Sequence, residues 1–284
     1  MSKRVVDSAR WWKAAIPAGI VVLGLAVGQH VARAAQAPAH SQPAHTPHWS
    51  YEGEEDPSHW ASLSPEFAKC AGNQQSQQSP IDIVTGAVTP LPPGAAGFQA
   101  ARLDTTDMRT IPVDVVNNGH TIQVDAVNSD VLVIGNDRYV FQQFHFHTPS
   151  EHTVDGRSFP LESHFVYKTA GGKLAVIGML FEEGAENAAL TPYWSRMPKS
   201  AGPPVDLGKG GVDIRKILPT NLAVYRYRGS LTTPPCSEGV SWLFLKEHAT
   251  ASPAQIEAFR ALMRHDNRPT QPLNGRAVHS DVIH

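Results

Sequence analysis

The chain has 284 residues, of which 41% are hydrophobic and 18% are charged, and its formal net charge at pH 7 is −2. This is the composition of a globular protein that can bury a sizeable core, and the length suits one domain rather than two. The negative net charge, without a basic stripe along the sequence, argues against a nucleic-acid partner.

The first 34 residues have the pattern of a secretory signal peptide. Four of the first 13 residues are basic, an apolar run covers residues 14–28, and Ala32-Arg33-Ala34 follows as a cleavage motif. The alternative is an uncleaved membrane anchor, but this run is shorter than the roughly 20 residues that span a bilayer. We therefore expect cleavage, no stable membrane insertion afterwards, and a periplasmic or secreted protein.

Cleavage changes the net charge to −6, because residues 1–34 contain five basic residues and one acidic residue. Residues 35–47 are rich in Ala, Gln, Pro and His and show no apolar periodicity, so we expect a flexible leader. A single domain is expected over residues 48–284.

The first half of this domain is expected to consist mainly of strands. A single helical turn is expected at residues 64–67, and residues 78–83 are expected to enter the body of the domain as an extended segment. Apolar residues alternate over residues 111–116 and 120–127, on both sides of Asn117-Asn118-Gly119, which is a strong hairpin signal. A second hairpin is expected from residues 131–134 and 138–147.

The second half adds buried strands and one longer helix. Residues 173–181 form a nearly continuous apolar run, as a buried central strand does, and a short helix is expected within residues 186–200. Residues 222–229 and 240–246 have the pattern of strands. Ser252 is expected to cap a helix, with Pro253 in its first turn and Gln255 completing a capping box. The expected fold class is mainly β with short helices, in a single domain.

Cys70 and Cys236 are the only cysteines of the chain. An even pair in an exported chain predicts a disulfide. Two free thiols are the alternative, and they fit an oxidising compartment poorly.

Histidines in two predicted strands give the strongest chemical signal. In Gln143-Phe144-His145-Phe146-His147, successive side chains point to opposite faces, so His145 and His147 share one face. Glu162 and His164 share a face of the next strand. Antiparallel pairing of the two strands brings the third imidazole beside the first two. Three neutral imidazoles that leave one position open are typical of catalytic zinc, whereas structural zinc usually has four protein ligands.

A histidine on a strand is more often a satisfied polar residue than a metal ligand. Gln143 and Glu162 favour the metal here, because each lies two residues before a histidine on the same face. An amide or carboxylate at that position can hold the ring nitrogen that does not bind the metal.

Short motifs occur in a fixed order over about four-fifths of the chain, from about His48 to Ser280: residues 78–83, 117–120, 143–147, 150–152, 162–164 and 230–242. Each one is weak alone, but together they are specific, and the chain resembles an α-class carbonic anhydrase of the bacterial, secreted type. The resemblance implies a large twisted, mostly antiparallel central sheet. It also implies a zinc cofactor held by His145, His147 and His164 at the base of a conical cleft.

The implied reaction is the reversible hydration of CO2 to bicarbonate and a proton. Zinc lowers the pKa of its water to about 7 in carbonic anhydrases, so that hydroxide is available to attack CO2 at neutral pH. Thr232 matches the residue that orients the hydroxide through a carboxylate, here Glu151. His120 matches the proton shuttle of the family.

The resemblance also assigns the surroundings of the site. Tyr51 matches a tyrosine of the solvent network, and His152 matches a buried structural histidine. Phe165 and Tyr167 flank the third ligand, where vertebrate relatives carry other residues, and they are expected to reshape the pocket. The apolar wall for this small-molecule substrate is implied to comprise Val166, Val176, Leu231 and Trp242, and Thr233 is expected in the same substrate pocket.

Functions from two other classes remain open at this level. His145-x-His147-x3-Glu151 meets the first metal motif of a cupin-type oxygenase, although the glycines of that motif and its second half are missing. The other is a non-catalytic binding module on the same fold, yet such relatives usually lack a ligand histidine. The sequence also leaves open whether the protein is a monomer or a homodimer.

Overall fold

The computed structural model describes residues 47–284, so the predicted signal peptide and residues 35–46 of the predicted leader lie outside the described residues. The main feature of the described part is a sheet of 13 strands. A separate two-stranded sheet pairs residues 82–83 with residues 153–154. The fold is mainly β with short helices, as the sequence predicts.

The strands, in chain order, are β1 (Asp82–Ile83), β2 (Thr89–Pro90), β3 (Ala101–Thr105), β4 (Pro112–Asn117), β5 (Ile122–Asp125), β6 (Asp130–Ile134), β7 (Asp137–His147), β8 (Thr153–Val154), β9 (Leu161–Lys168), β10 (Leu174–Glu183), β11 (Val205–Lys209), β12 (Ala223–Ser230), β13 (Glu238–Leu245), β14 (Ala249–Ala251) and β15 (His279–Val282). The α-helices are α1 (Trp60–Leu63), α2 (Thr191–Trp194) and α3 (Pro253–Met263). Short 3₁₀ helices cover Gly53–Glu55, Pro65–Ala71, Thr85–Ala87, Met108–Thr110 and Ile214–Lys216.

The large sheet runs in the order β11, β4, β5, β7, β9, β10, β13, β12, β15, β2, with β6 against β7, β3 against β6 and β14 against β10. Most neighbours are antiparallel. The pairs β10–β13, β10–β14 and β15–β2 are parallel. Strands β7, β9, β10 and β13 therefore lie side by side in the middle of the sheet, where they carry most of the predicted site.

Both predicted hairpins are present. β4 and β5 pair up to Asn117 and Ile122, and Gly119 in the connection has a φ of 88°, a conformation that glycine adopts readily. β6 and β7 pair up to Ile134 and Asp137, and Gly135 between them has a φ of 60°. The turn residues therefore fix the register in which β7 enters the sheet.

The two faces of β7 have different roles. Phe144 and Phe146 are fully buried in the main apolar core, where the ring of Phe144 stacks on Phe165 of β9 at a centroid distance of 5.4 Å. Each such ring contributes roughly 1.5–3 kcal/mol of stability through burial. His145 and His147 necessarily point to the other face.

Helices α2 and α3 cover the core face of β7. Trp194 and Phe259 pack against Phe146 at centroid distances of 4.6 and 5.9 Å. The start of α3 is the predicted capping box, in which Ser252 and Gln255 bond each other's backbone N–H. Among residues 47–284, no helix is both long and apolar enough to cross a membrane.

The predicted disulfide between Cys70 and Cys236 is present, and both cysteines are buried. They pack with Trp60 and Phe67 in a small cluster apart from the main core. The bond joins residues 166 positions apart, and Cys236 lies in the loop between β12 and β13 that also carries Thr232.

We expect reduction of this disulfide to lower the free energy of unfolding by roughly 2–5 kcal/mol, because the unfolded chain gains entropy when so long a loop opens. Urea denaturation with and without reductant measures the difference. The Cys70→Ser/Cys236→Ser double variant is the control, since reductant should not change its midpoint. Two titratable thiols per native chain would contradict the prediction.

Candidate metal centre

The three predicted ligand histidines converge in the structure. His145 on β7 lies opposite His164 on β9, and His147 lies opposite Glu162. One nitrogen from each of the three imidazoles lies within 4.8 Å of the other two. His147 and His164 are buried, and His145 is half-buried. The described residues thus contain a cluster that can hold a metal ion.

Each imidazole is fixed through the nitrogen that faces away from the cluster. His145 Nδ1 lies 2.8 Å from Gln143 Oε1, and His164 Nε2 lies 2.5 Å from Glu162 Oε1. His147 Nδ1 lies 2.6 Å from the backbone oxygen of Asp266. Because all three partners are acceptors, these nitrogens carry the protons and the inward nitrogens carry free lone pairs. The inward atoms are Nε2 of His145, Nε2 of His147 and Nδ1 of His164.

The donor set fits a metal cation. Nε2 of His147 is buried and has no hydrogen-bond partner among the described residues, which is costly for a polar atom unless something else binds it. Burial lowers the pKa of both His145 and His164, which keeps them neutral. Burial also lowers the pKa of His147, but the carboxylates of Glu151 and Asp266 outweigh it and raise the value. Inward imidazole nitrogens with nearby carboxylates suit a divalent cation, because binding the cation requires these nitrogens in their unprotonated form.

Glu162 is the acceptor for several donors at once. Its Oε1 accepts from His164 Nε2 and from His152 Nδ1 at 2.7 Å, and its Oε2 accepts from the backbone N–H of His152 at 2.8 Å. Burial alone raises its pKa, but His152 and His164 outweigh burial and hold the pKa well below the usual range. His152 Nε2 lies 2.6 Å from the hydroxyl of Tyr227. Both ring nitrogens of His152 therefore have hydrogen-bond partners, and neither is free to bind the metal.

The structure brings two residues to the site that the sequence analysis did not find. Asp266 supplies the backbone oxygen that holds His147, and its carboxylate accepts from the backbone N–H of Thr148 at 2.7 Å. The backbone N–H of Arg268 donates to Glu151 at 2.9 Å. Both residues lie in the turn-rich segment after α3. They contact the site through backbone groups, which every residue type has, so the sequence pattern does not reveal them.

Glu151 is buried beside the histidines. Its Oε1 accepts from Arg268, and its Oε2 lies 3.5 Å from His147 Nε2 and 4.0 Å from His164 Nδ1. Oε2 has no hydrogen-bond partner among the described residues, so the bond to Thr232 that the resemblance implies is not formed in this structure. Thr232 itself is buried. One oxygen of Glu151 is therefore fixed and the other is free to accept.

The predicted apolar wall is continuous across three strands. Val166 of β9 lies opposite Val176 of β10, which lies opposite Trp242 of β13. The Trp242 ring lies 4.9 Å from the ring of His164, and its Nε1 donates to Ser230 O at 3.1 Å. Leu231, in the loop after β12, packs against the apolar cluster that contains Val176 and Trp242, and Thr233 in the same loop is half-buried.

Phe165 and Tyr167 were expected to reshape the pocket, and this prediction was wrong. Both are fully buried in the main core on the face opposite His164 and Val166. Strand alternation sends them there. Phe165 stacks on Phe144, and Tyr167 packs edge-on against Phe141.

His120 and Tyr51 lie together in an aromatic group. The His120 ring stacks on Trp49 at 3.7 Å and lies 6.5 Å from His48. Burial and the nearby His48 lower the pKa of His120 to about 4. The Tyr51 hydroxyl is buried without a partner among the described residues, and burial followed by the charges of Glu151 and Asp266 raises its pKa. Tyr51 is thus close enough to Glu151 and Asp266 for their charges to affect its hydroxyl.

We expect Glu162→Gln to weaken divalent-metal binding by roughly 10- to 100-fold, because an amide cannot accept from all three donors that Glu162 serves. Competition with a chromogenic chelator measures the change. Glu183→Gln, an exposed carboxylate at the end of β10, is the matched control. Unchanged affinity in the Glu162 variant would show that this carboxylate does not support the cluster.

Comparisons with known proteins agree with this geometry. The family model of eukaryotic-type carbonic anhydrase matches residues 55–282. Carbonic anhydrases from Pectobacterium carotovorum and Pectobacterium atrosepticum are 45% and 44% identical over 232 residues, which is 81% of this chain and 90% of each relative. These matches favour neither the cupin-type oxygenase nor the non-catalytic module.

Solved structures show the same fold. The α-carbonic anhydrase from Thermovibrio ammonificans, determined with the inhibitor sulfanilamide, is 41% identical with a TM-score of 0.75. The match covers 83% of this chain and all of the other. With the family model, the curated relatives and the converging histidines in agreement, the chain belongs to the α-class, or eukaryotic-type, carbonic anhydrase family.

Proposed function

We propose that this protein catalyses the reversible hydration of CO2 to bicarbonate and a proton, with zinc held by His145, His147 and His164. The observation that carries the proposal is the convergence of three bare imidazole nitrogens, each on a ring fixed through its other nitrogen. Zinc bound there would act as a Lewis acid and lower the pKa of a water molecule to about 7, the value known for carbonic anhydrases.

Glu151 and Thr232 orient the nucleophile in this proposal. Oε1 of Glu151 accepts from the Arg268 N–H, and Oε2, which has no partner among the described residues, is the oxygen that accepts from the Thr232 hydroxyl in this proposal. A threonine that donates to a carboxylate must use its own lone pair as acceptor, and it can thereby receive a hydrogen bond from the nucleophilic water. The gain is one of orientation rather than of charge.

The substrate site in the proposal is the apolar wall next to the ligands. CO2 has no net charge and no hydrogen-bond donor, so the aligned side chains of Val166, Val176 and Trp242 favour it over water. Leu231 and Thr233 complete the wall from the loop after β12. Bicarbonate is charged and is bound less well by these apolar side chains, which favours its release.

His120 accepts the proton and passes it to buffer in this proposal. With a pKa of about 4 in its stacked position, the imidazole is neutral at pH 7 and is a weak base. Uptake of a proton from a group of pKa about 7 is then uphill, while release to buffer is fast. We therefore assign His120 a moderate contribution to the maximal rate.

Export to the periplasm is also part of the proposal. Its support is the signal-peptide pattern of residues 1–34, together with the buried disulfide between Cys70 and Cys236, which suits an oxidising compartment.

We expect His164→Ala to lose its zinc, because two imidazoles leave the site incomplete. Its kcat/KM for CO2 hydration should fall by more than about 100-fold, which exceeds the effect expected when a residue that only holds a ligand histidine is changed. Zinc content by mass spectrometry and stopped-flow hydration with a pH indicator measure both. His59→Ala, at an exposed histidine, is the control. Full zinc occupancy in the His164 variant, or a wild-type protein without hydration activity, would overturn the proposal.

We expect His120→Ala to lower kcat in dilute buffer by about tenfold and to leave kcat/KM nearly unchanged. The loss is smaller than the roughly 100- to 10,000-fold typical of a positioned acid or base, because the lowered pKa already limits this residue. A high concentration of imidazole should restore most of the rate. Equal losses in both parameters, without rescue, would assign His120 a structural role.

A further inference from the structure

Arg268 is a deeply buried cation near the site, and among residues 47–284 its guanidinium makes no hydrogen bond or ion pair with a carboxylate. The residue is 1% exposed. Its Nη1 donates to Gln78 Oε1 at 2.9 Å and to Ser79 O at 2.7 Å, and its Nη2 donates to Cys70 O at 2.9 Å. Burial lowers the pKa of this guanidinium to about 10. A buried charge whose hydrogen-bond partners are all neutral is costly even with the Coulombic attraction of Glu151, so its placement calls for an explanation.

The backbone of the same residue bonds the catalytic carboxylate. The Arg268 N–H donates to Glu151 Oε1 at 2.9 Å. One residue therefore bonds Glu151 through its backbone and bonds Gln78, Ser79 and Cys70 through its side chain.

The segment of Gln78 and Ser79 also fixes the loop that carries Thr232. The Ser79 N–H donates to Ser230 Oγ at 2.9 Å, and the Ser230 N–H donates to Ser79 Oγ at 3.1 Å. Gln78 Nε2 donates to Cys236 O at 3.1 Å. Ser230 lies two residues before Thr232 and Cys236 lies four residues after it, so the loop is held on both sides of the threonine.

We propose that Arg268 is a positioning residue for CO2 hydration, which sets the place of Glu151 relative to the loop that carries Thr232. This inference rests on the proposed function, because it assumes that the two residues cooperate. The guanidinium suits the task, since its planar fork makes several bonds in fixed directions, whereas an ammonium group on a flexible chain does not.

Arg276 provides a matched control. Its Nη2 donates to Gln78 O and its Nη1 donates to Arg228 O, both at 2.8 Å, so it supports the same segment. Among the described residues, however, it makes no hydrogen bond to Glu151. If Arg268 is only a structural support, Arg268→Lys and Arg276→Gln should behave alike.

The experiment compares Arg268→Lys, Arg276→Gln, Glu151→Gln and the Arg268→Lys/Glu151→Gln double variant, each with its zinc content measured. We expect Arg268→Lys to lower kcat/KM by roughly 10- to 100-fold at full zinc occupancy, because small displacements of orienting groups are costly. Its kcat in dilute buffer should fall less, since proton transfer through His120 is untouched. Arg276→Gln should keep kcat/KM, and Arg268→Lys should have no further effect in the Glu151→Gln background.

A readout independent of activity uses the metal-free chain. Hydrogen exchange of a peptide covering residues 148–152 should be faster in Arg268→Lys than in the wild type, and unchanged in Arg276→Gln. Should Arg268→Lys fail to fold, Gln78→Ala tests the same link, because it removes one acceptor of the guanidinium and the donor to Cys236.

The inference is overturned if the Arg268 and Glu151 effects on kcat/KM multiply independently, or if both arginine variants lose kcat/KM equally. Unchanged exchange of residues 148–152 in Arg268→Lys would overturn it as well. An inactive wild-type protein would instead refute the proposed function, so the two failures are distinguishable.

Discussion

The site depends first on the register between β7 and β9. His145 lies opposite His164 only in this pairing, and a slip by one residue would turn every side chain of one strand to the other face. The same slip would bring histidines into the core and phenylalanines onto the ligand face. The rings of Phe144, Phe146 and Phe165 therefore specify the register through their burial. The positions of the ligand histidines depend in this way on the packing of the core on the opposite face of the sheet.

The second constraint is electrostatic. Burial lowers the pKa values of His145 and His164, which keeps these two imidazoles neutral, whereas the carboxylates of Glu151 and Asp266 raise the pKa of His147. Glu162 is the opposite case, because a buried carboxylate stays charged only where several donors surround it. Imidazole nitrogens that lie beside carboxylates provide both the lone pairs and the negative potential that a divalent cation requires. The sheet thus places groups of different protonation state on one face.

Much of this could be predicted from the sequence, because alternation and turn chemistry are local properties. The i, i+2 spacing of His145 and His147 gives their shared face, and the two turns give the hairpins. Asp266 and Arg268 could not be found in this way, since they act through a carbonyl and an N–H more than 100 residues away from their partners. The misplacement of Phe165 and Tyr167 had another cause. Both residues are close to a ligand in sequence, but strand alternation directs their side chains into the core and away from the pocket.

The backbone oxygen of Asp266 has a consequence for how this site tolerates sequence change. Every amino acid carries a carbonyl, so any residue that preserves the local backbone at this position can still hold His147. A survey of side-chain substitutions would assign position 266 only the contact of its carboxylate with Thr148 and would miss its hold on the ligand. The contact with His147 therefore depends on the path of the backbone at position 266 rather than on the identity of the residue there.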